Sequence, residues 1–133
     1  MKVGQIVNAY RALDKATVSE LTAEERISVV KAMKVMRTTS KDFESFVEDL
    51  REKFKSENLE AIIRKIQEGK GLTEYEVKEF NEYNIPVSSA IREEEEKEVN
   101  IDIPKVSEDA IVKMIGENKW SLSKLETFDF MTM

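Results

Sequence analysis

The sequence predicts a mostly α fold: a long coiled-coil-like helix packed on shorter helices, with a minor β element near residues 98–103. Three patterns carry this. The apolar row Val29, Met33, Met36, Ser40, Phe43, Val47, Leu50 and Phe54 advances in alternating steps of four and three, the seam of a helix that packs on another helix. Two Thr-x-x-Glu capping boxes, Thr22 with Glu25 and Thr73 with Glu76, mark helix starts. Glu98-Val99-Asn100-Ile101-Asp102-Ile103 alternates polar and apolar, the pattern of a strand with one buried face.

In order along the chain, Val3, Ile6, Val7, Tyr10 and Leu13 put one apolar face on a first helix over 3–15. The Thr22 box opens the long helix, expected from about residue 23 to about 55 and so roughly 50 Å long. Thr38-Thr39-Ser40 is its weak spot, because hydroxyl and β-branched residues favour helices poorly. Ser40 also breaks the seam, and leucine there is expected to strengthen association. A short amphipathic helix over 58–66 is closed by Gly69 and Gly71. The Thr73 box opens a further helix carrying Val77 and Phe80, which Pro86 is expected to end or kink before helix resumes over 87–96. Pro104 stops the expected strand. Ser107 caps a helix expected to run through Ile115 and end at Gly116. Ser121 or Ser123 caps a last amphipathic segment with Leu122, Leu125, Phe128 and Phe130, whose apolar end is expected to be docked.

Composition narrows the function. A chain of 133 residues is expected to form one domain, in three stretches, 1–56, 57–96 and 97–133. With no cysteine and no histidine, Cys/His zinc sites, thiol or imidazole catalysis and disulfides are excluded. No apolar run reaches membrane-spanning length, and Gln5, Asn8 and Arg11 interrupt the start, so neither a membrane span nor a signal peptide is read and a cytoplasmic protein is expected. Residues 1–56 carry 11 Lys and Arg against 9 Asp and Glu, whereas residues 57–133 carry 10 against 18. The net charge of −6 argues against a general nucleic-acid binder, because neutralising phosphates needs a basic surface.

The start Lys2-Val3-Gly4-Gln5-Ile6-Val7-Asn8-Ala9, then Ala12-Leu13-Asp14-Lys15, leads into the long helix. A Glu-rich stretch feeds Val99-Asn100-Ile101-Asp102-Ile103-Pro104-Lys105-Val106, and a short Leu-containing helix closes the chain. This arrangement resembles a set of small helical proteins encoded by phages and prophages of Gram-positive bacteria. The resemblance implies a phage context and the cytoplasm of a bacterial host; it implies no activity.

Lys31, Lys34, Arg37 and Lys41 fall within about 120° on the long helix, a basic stripe beside the seam that suits a phosphate, a nucleotide signal or an acidic partner. The same stripe reads as a solvated helix face partly paired with glutamates, the commoner use of such charges. Asn8 and Arg11, one helical step apart on the first helix beside Gln5 and Tyr10, suit a ligand carbonyl or phosphate; Asn8 reads more readily as a polar residue satisfying backbone or fixing register. Glu93 to Glu96 point around a helix and read as a solvated face, not a cation site. Trp120 and Tyr83 read as packing residues. Gly69-Lys70-Gly71 lacks the spacing of a phosphate loop, and no cofactor is implied.

No motif identifies a reaction. The first expectation is therefore a stoichiometric binder in phage counter-defence, sequestering an anionic nucleotide-type immune signal or blocking a host immune protein, with Asn8, Arg11, Lys31, Lys34, Arg37 and Lys41 as its contacts. The second is an assembly or chaperone-like helper that grips another protein through the apolar seam. A hydrolase with a carboxylate site comes last. The seam, the unpaired strand and the apolar tail further predict a homo-oligomer.

Overall fold

A computed structural model describes residues 1–133 and is all-α. Its helices are α1 (Val3–Asp14), α2 (Ala23–Phe54), α3 (Leu59–Gln67), α4 (Glu74–Glu96), α5 (Glu108–Asn118) and α6 (Lys124–Phe128), followed by a 3-10 turn, Asp129–Met131. The chain forms two compact units, Met1–Phe43 with Glu95–Met133, and Glu44–Glu94; α2 and α4 each contribute to both. No helix is long and apolar enough to cross a membrane.

The first unit is built around α1. Ile6, Ala9 and Leu13 join Val29, Ala32 and Met36 of α2, Ile111 and Met114 of α5, and Phe128 and Met131 in one buried cluster. The cluster draws on both ends of the chain, and backbone hydrogen bonds fix that arrangement. Val3 N–H donates to the Lys97 carbonyl at 2.9 Å and Val99 N–H to the Met1 carbonyl at 2.8 Å. At the other end Val106 N–H donates to the Met131 carbonyl at 2.8 Å and Met133 N–H to the Val106 carbonyl at 3.0 Å, which docks the apolar tail.

The second unit is smaller. Leu59 and Ile62 of α3 and Val87 of α4 are its buried residues. Gly69, at φ 71°, takes the left-handed position after α3, and Lys70 N–H reaches back to the Lys65 carbonyl at 2.9 Å, a Schellman closure. The Thr73 hydroxyl accepts from Glu76 N–H at 3.2 Å while Glu76 accepts from Thr73 N–H at 3.1 Å. The Thr22 and Glu25 box is formed in the same way.

The structure corrects the fold expected from the sequence at residues 98–103. They form no strand; Glu98 makes a single isolated bridge to Lys2. The segment lies extended, with Ile103 buried and Val99 and Ile101 packed on the core cluster. Its period of two records one-sided burial of an extended chain, which needs no ladder partner. Pro86 does not end the helix: α4 is continuous over Glu74–Glu96, with the proline inside it. The proline leaves the Glu82 carbonyl without its intrahelical donor, and Glu82 is exposed, where water meets that need. Gly116 does not end α5. The helix runs on to Asn118, and Lys119 takes the left-handed turn at φ 56° while Trp120 N–H closes on the Ile115 carbonyl at 3.0 Å. In the last segment Leu122 is exposed, whereas Phe128 is fully buried.

Helix α2 spans about 48 Å and passes unbroken through Thr38-Thr39-Ser40. Val29, Met36, Ser40 and Phe43 are buried within this one chain, and Met33, Val47, Leu50 and Phe54 are half-buried. The N-terminal half of the seam is therefore core. Of the features that predict a homo-oligomer, the upper seam is buried within the chain, residues 98–103 form no strand and the tail is docked on Val106, while the lower seam stays half-buried. Ser40 is 1% exposed and its hydroxyl has no hydrogen-bond partner.

Two pairs of stability changes follow, each read as the midpoint of thermal or denaturant unfolding. Ser40→Ala removes an unpaired buried hydroxyl and gains about 1 kcal/mol, whereas Ser40→Leu overfills the site and loses about 1–3 kcal/mol. Gly116→Ala places a methyl where no atom lies within 4 Å and gains roughly 0.5–1 kcal/mol of helix propensity. Lys119→Gly relieves the left-handed residue and gains a similar amount, about 0.5–1 kcal/mol.

Candidate functional site

On α1, Asn8, Arg11, Ala12 and Lys15 are spaced i, i+3, i+4 and i+7, so they share one face. That face is turned from the buried Ile6, Ala9 and Leu13. It meets Trp120, Lys124 and Thr127 from the other end of the chain, and together these residues line a cleft of about 450 Å³. The volume lies in the range of small-ligand sites, roughly 300–1,000 Å³.

The second wall is positioned by the left-handed turn at Lys119. It delivers Trp120 onto Phe128, with ring centroids 5.7 Å apart and planes 33° from parallel. Phe128 is buried, so it anchors the indole while part of the ring remains open to the cleft. The Ser121 and Ser123 hydroxyls share a hydrogen bond of 2.6 Å at the start of α6. One turn on, the Lys124 ammonium stands 5.8 Å from the Trp120 ring centroid.

The two walls are held together through the α1–α2 loop. Asn118 clasps Thr17 twice: its Oδ1 accepts from Thr17 N–H at 2.7 Å, and its Nδ2 donates to the Thr17 carbonyl at 2.9 Å. Glu117 accepts from the Ser19 hydroxyl, from Ser19 N–H at 2.9 Å and from Glu20 N–H at 3.2 Å. The Ser19 hydroxyl, then the backbone N–H groups, hold the Glu117 carboxyl below the usual carboxylate range. Glu25 is lowered likewise, first by Lys113 at 2.8 Å and then by Thr22 N–H.

The chemistry of the lining is one-sided. Arg11, Lys15 and Lys124 bring three cations and no carboxylate lines the cleft. Asn8 adds an amide, Thr127 a hydroxyl and Trp120 a planar ring. Arg11 stacks over the Phe43 ring at 5.9 Å, which orients its guanidinium without neutralising it. Such a site suits an anion with a flat ring attached.

Of the six residues singled out by the sequence, the structure brings Asn8 and Arg11 into this cleft. Asn8 is exposed, so it is not a buried polar residue fixing register. Arg37 reaches α1 by donating from Nε to the Tyr10 hydroxyl at 3.3 Å. Lys31, Lys34 and Lys41 stay on the exposed face of α2, outside this cleft. Gln5 serves the helix start, accepting from Lys2 N–H at 2.7 Å. The acidic run is a partly paired face: Glu96 binds the Lys2 ammonium at 2.6 Å, and no three carboxylates converge as metal ligands. Sequence reasoning missed Lys15, Lys124 and Thr127, and it gave Trp120 only its packing role, which the contact with Phe128 shows. Lys15 continues the Asn8 and Arg11 spacing by one helical step and was there to be found. The other three gain meaning only from a fold that closes over more than a hundred residues.

Compared with known proteins, the chain matches no family model, no curated protein and no solved structure. The site therefore stands on its geometry.

The clasp gives the fold a pH dependence. A carboxyl held below its unfolded value stabilises the folded chain above the ordinary carboxylate range, and that contribution is lost as pH falls through the folded value. Unfolding midpoints of the wild-type chain should therefore drop in acid. Glu117→Gln should lower the midpoint at neutral pH, and its deficit should shrink as the solution is acidified.

Proposed function

We propose that the protein is a stoichiometric binder of a small anion carrying a planar ring, a nucleotide-type ligand, held in the cleft between α1 and the α5–α6 segment. One observation carries this: in a chain of net charge −6, three cations line a cleft with an indole and no acid. Like charges gathered this way repel one another until an anion relieves them, and arginine and lysine meet phosphate oxygens with charge-assisted hydrogen bonds. Trp120 supplies the stacking face for the ring, worth about 1–3 kcal/mol in comparable base–aromatic contacts. Asn8 and Thr127 add hydrogen-bonding groups that read the ring edge or a sugar hydroxyl.

The lining holds no carboxylate or imidazole to act as a general base for the Thr127 hydroxyl, which supports reading the site as binding without turnover. The resemblance to phage-encoded proteins gives that binding a purpose: in the cytoplasm of a bacterial host it sequesters a nucleotide-type immune signal, a counter-defence role. The helper that grips another protein through the seam of α2 loses its main contact surface, because Val29, Met36, Ser40 and Phe43 are buried in the chain.

Trp120 is the sole tryptophan and reports directly on the cleft. Titration with adenine mono-, di- and cyclic nucleotides should change its fluorescence saturably, with a stoichiometry of one and no product formed. Arg11→Ala and Lys124→Ala should each weaken binding about tenfold to a hundredfold, the worth of one hydrogen bond to a charged group. Lys31→Ala should leave it unchanged. Absence of a saturable response across the nucleotides, or equal binding by Arg11→Ala and Lys124→Ala, overturns the proposal.

A further inference from the structure

The second unit holds a cleft of the opposite character. Phe54 and Ser56, at the end of α2, face Tyr75, Glu79 and Tyr83 of α4 across a space of about 290 Å³. Glu82 and Lys78 complete its lining. The decisive observation is a pair of orphaned atoms. Glu79 Oε2 and Ser56 Oγ are both buried, and neither has a hydrogen-bond partner. Leaving a buried acceptor unmade is costly, about 1–3 kcal/mol for a neutral group and more for a charged one, so such an atom marks a place where a partner belongs.

The rest of the lining says which partner. A carboxylate accepts only, and a serine hydroxyl accepts as well as donates, so the missing group is a donor. Two carboxylates against one ammonium favour a cation. Lys78 makes no ion pair with either carboxylate and is exposed, so it does not fill the need. The tyrosine rings offer negative π faces that attract an ammonium group within about 6 Å. Phe54 already works in this way, with the Lys53 ammonium 5.4 Å from its centroid. The space, about 290 Å³, lies at the lower edge of small-ligand sites and fits a short alkyl stem.

We infer that this cleft binds a primary alkylammonium group on a small amine, with Glu79 Oε2 and Ser56 Oγ taking its N–H donors and Tyr75 and Tyr83 flanking its stem. This site lies in a different unit from the anion cleft and is independent of it.

The test is a titration of the full-length, isotope-labelled chain with cadaverine at millimolar concentration, followed by amide chemical shifts. Residues 54–56 and 75–83 should shift saturably. Tetramethylammonium, which has the charge but no N–H donor, should bind about tenfold or more weakly, the loss of one charge-assisted hydrogen bond. Glu79→Gln should lose the response while amides of the first unit stay in place. Tyr75 is 70% exposed, so Tyr75→Ala leaves the fold intact and should weaken binding by a few-fold even where the Glu79 variant folds poorly. No saturable shift in this region, equal shifts with tetramethylammonium, or an unchanged response in Tyr75→Ala overturns the inference. Failure here leaves the nucleotide reading untouched, because that reading is measured at Trp120.

Discussion

The packing of α1 against the last residues of the chain is the constraint on which the first unit depends. Ile6, Ala9 and Leu13 are too apolar for water, and the surfaces that cover them include Phe128 and Met131. Burying side chains of this size stabilises by about 1.5–3 kcal/mol each for the larger ones, which rewards closing a loop of more than a hundred residues. Closure costs little extra for its length, because the entropy of joining two ends grows only logarithmically. Once the ends meet, the cleft is a by-product of geometry: the polar side of α1 must face whatever stands beside its apolar side. What stands there is Trp120 and Lys124. Asn118 and Glu117 then fix the register by taking the backbone groups of Thr17, Ser19 and Glu20 that no helix satisfies.

That register explains why the turn falls at Lys119 and not at Gly116. Glycine is the residue that adopts the left-handed turn most cheaply, and local propensity alone would stop α5 there. Stopping at Gly116 would withdraw Glu117 and Asn118 from the helix that aims them. Their five hydrogen bonds to the α1–α2 loop outweigh a strain of about 1–2 kcal/mol at Lys119. The strained turn also sets the direction in which Trp120 leaves the helix, so the backbone feature and the cleft share one cause.

Legibility in the sequence followed the range of the interaction. The helix starts at Thr22, Thr73 and Ser107 are decided by residues three apart, and the structure forms them as read. The span of α2 follows from a seam repeated seven times. The readings that failed were those in which a local rule stood in for an unseen partner. Alternation at 98–103 points to a strand in the sequence, but period two has two causes, a ladder or one-sided burial of a segment lying on a core, and sequence cannot separate them. Pro86 signals an end or a kink because the cost of one lost hydrogen bond is visible locally, whereas the packing of Val87 that accompanies the helix past it is not. The site divides in the same way. Asn8 and Arg11 were legible as polar residues out of place on an amphipathic helix, but the wall they face is set by tertiary closure. The stripe on α2 was conspicuous because it is regular, and regular spacing on an exposed face reports the helix more than a ligand.

The two clefts are unlike in the way charge is left over, and that difference bears on what each is for. In the first unit the excess is on exposed side chains: Arg11 and Lys15 stand in water, so their charges cost the fold little. For the anion proposed here, the gain would come from groups that stand in water beforehand, which would make its affinity sensitive to salt. In the second unit the excess is on atoms already removed from water, Glu79 Oε2 and Ser56 Oγ. There the cost of desolvation has been met by folding, and a donor entering the cleft recovers it directly. The first site is therefore tuned by ionic strength and the second by the match of donor to acceptor. Nearby, Glu76 shows the satisfied form of the same chemistry: its side chain is 17% exposed, yet it accepts from the Lys65 ammonium at 2.7 Å and from Thr73 N–H, and its carboxyl is held low by them. Glu79, three residues along the same helix, has the burial without the partner. A helix that pairs one half-buried carboxylate and leaves a buried oxygen of the next unpaired is what the proposed amine would complete.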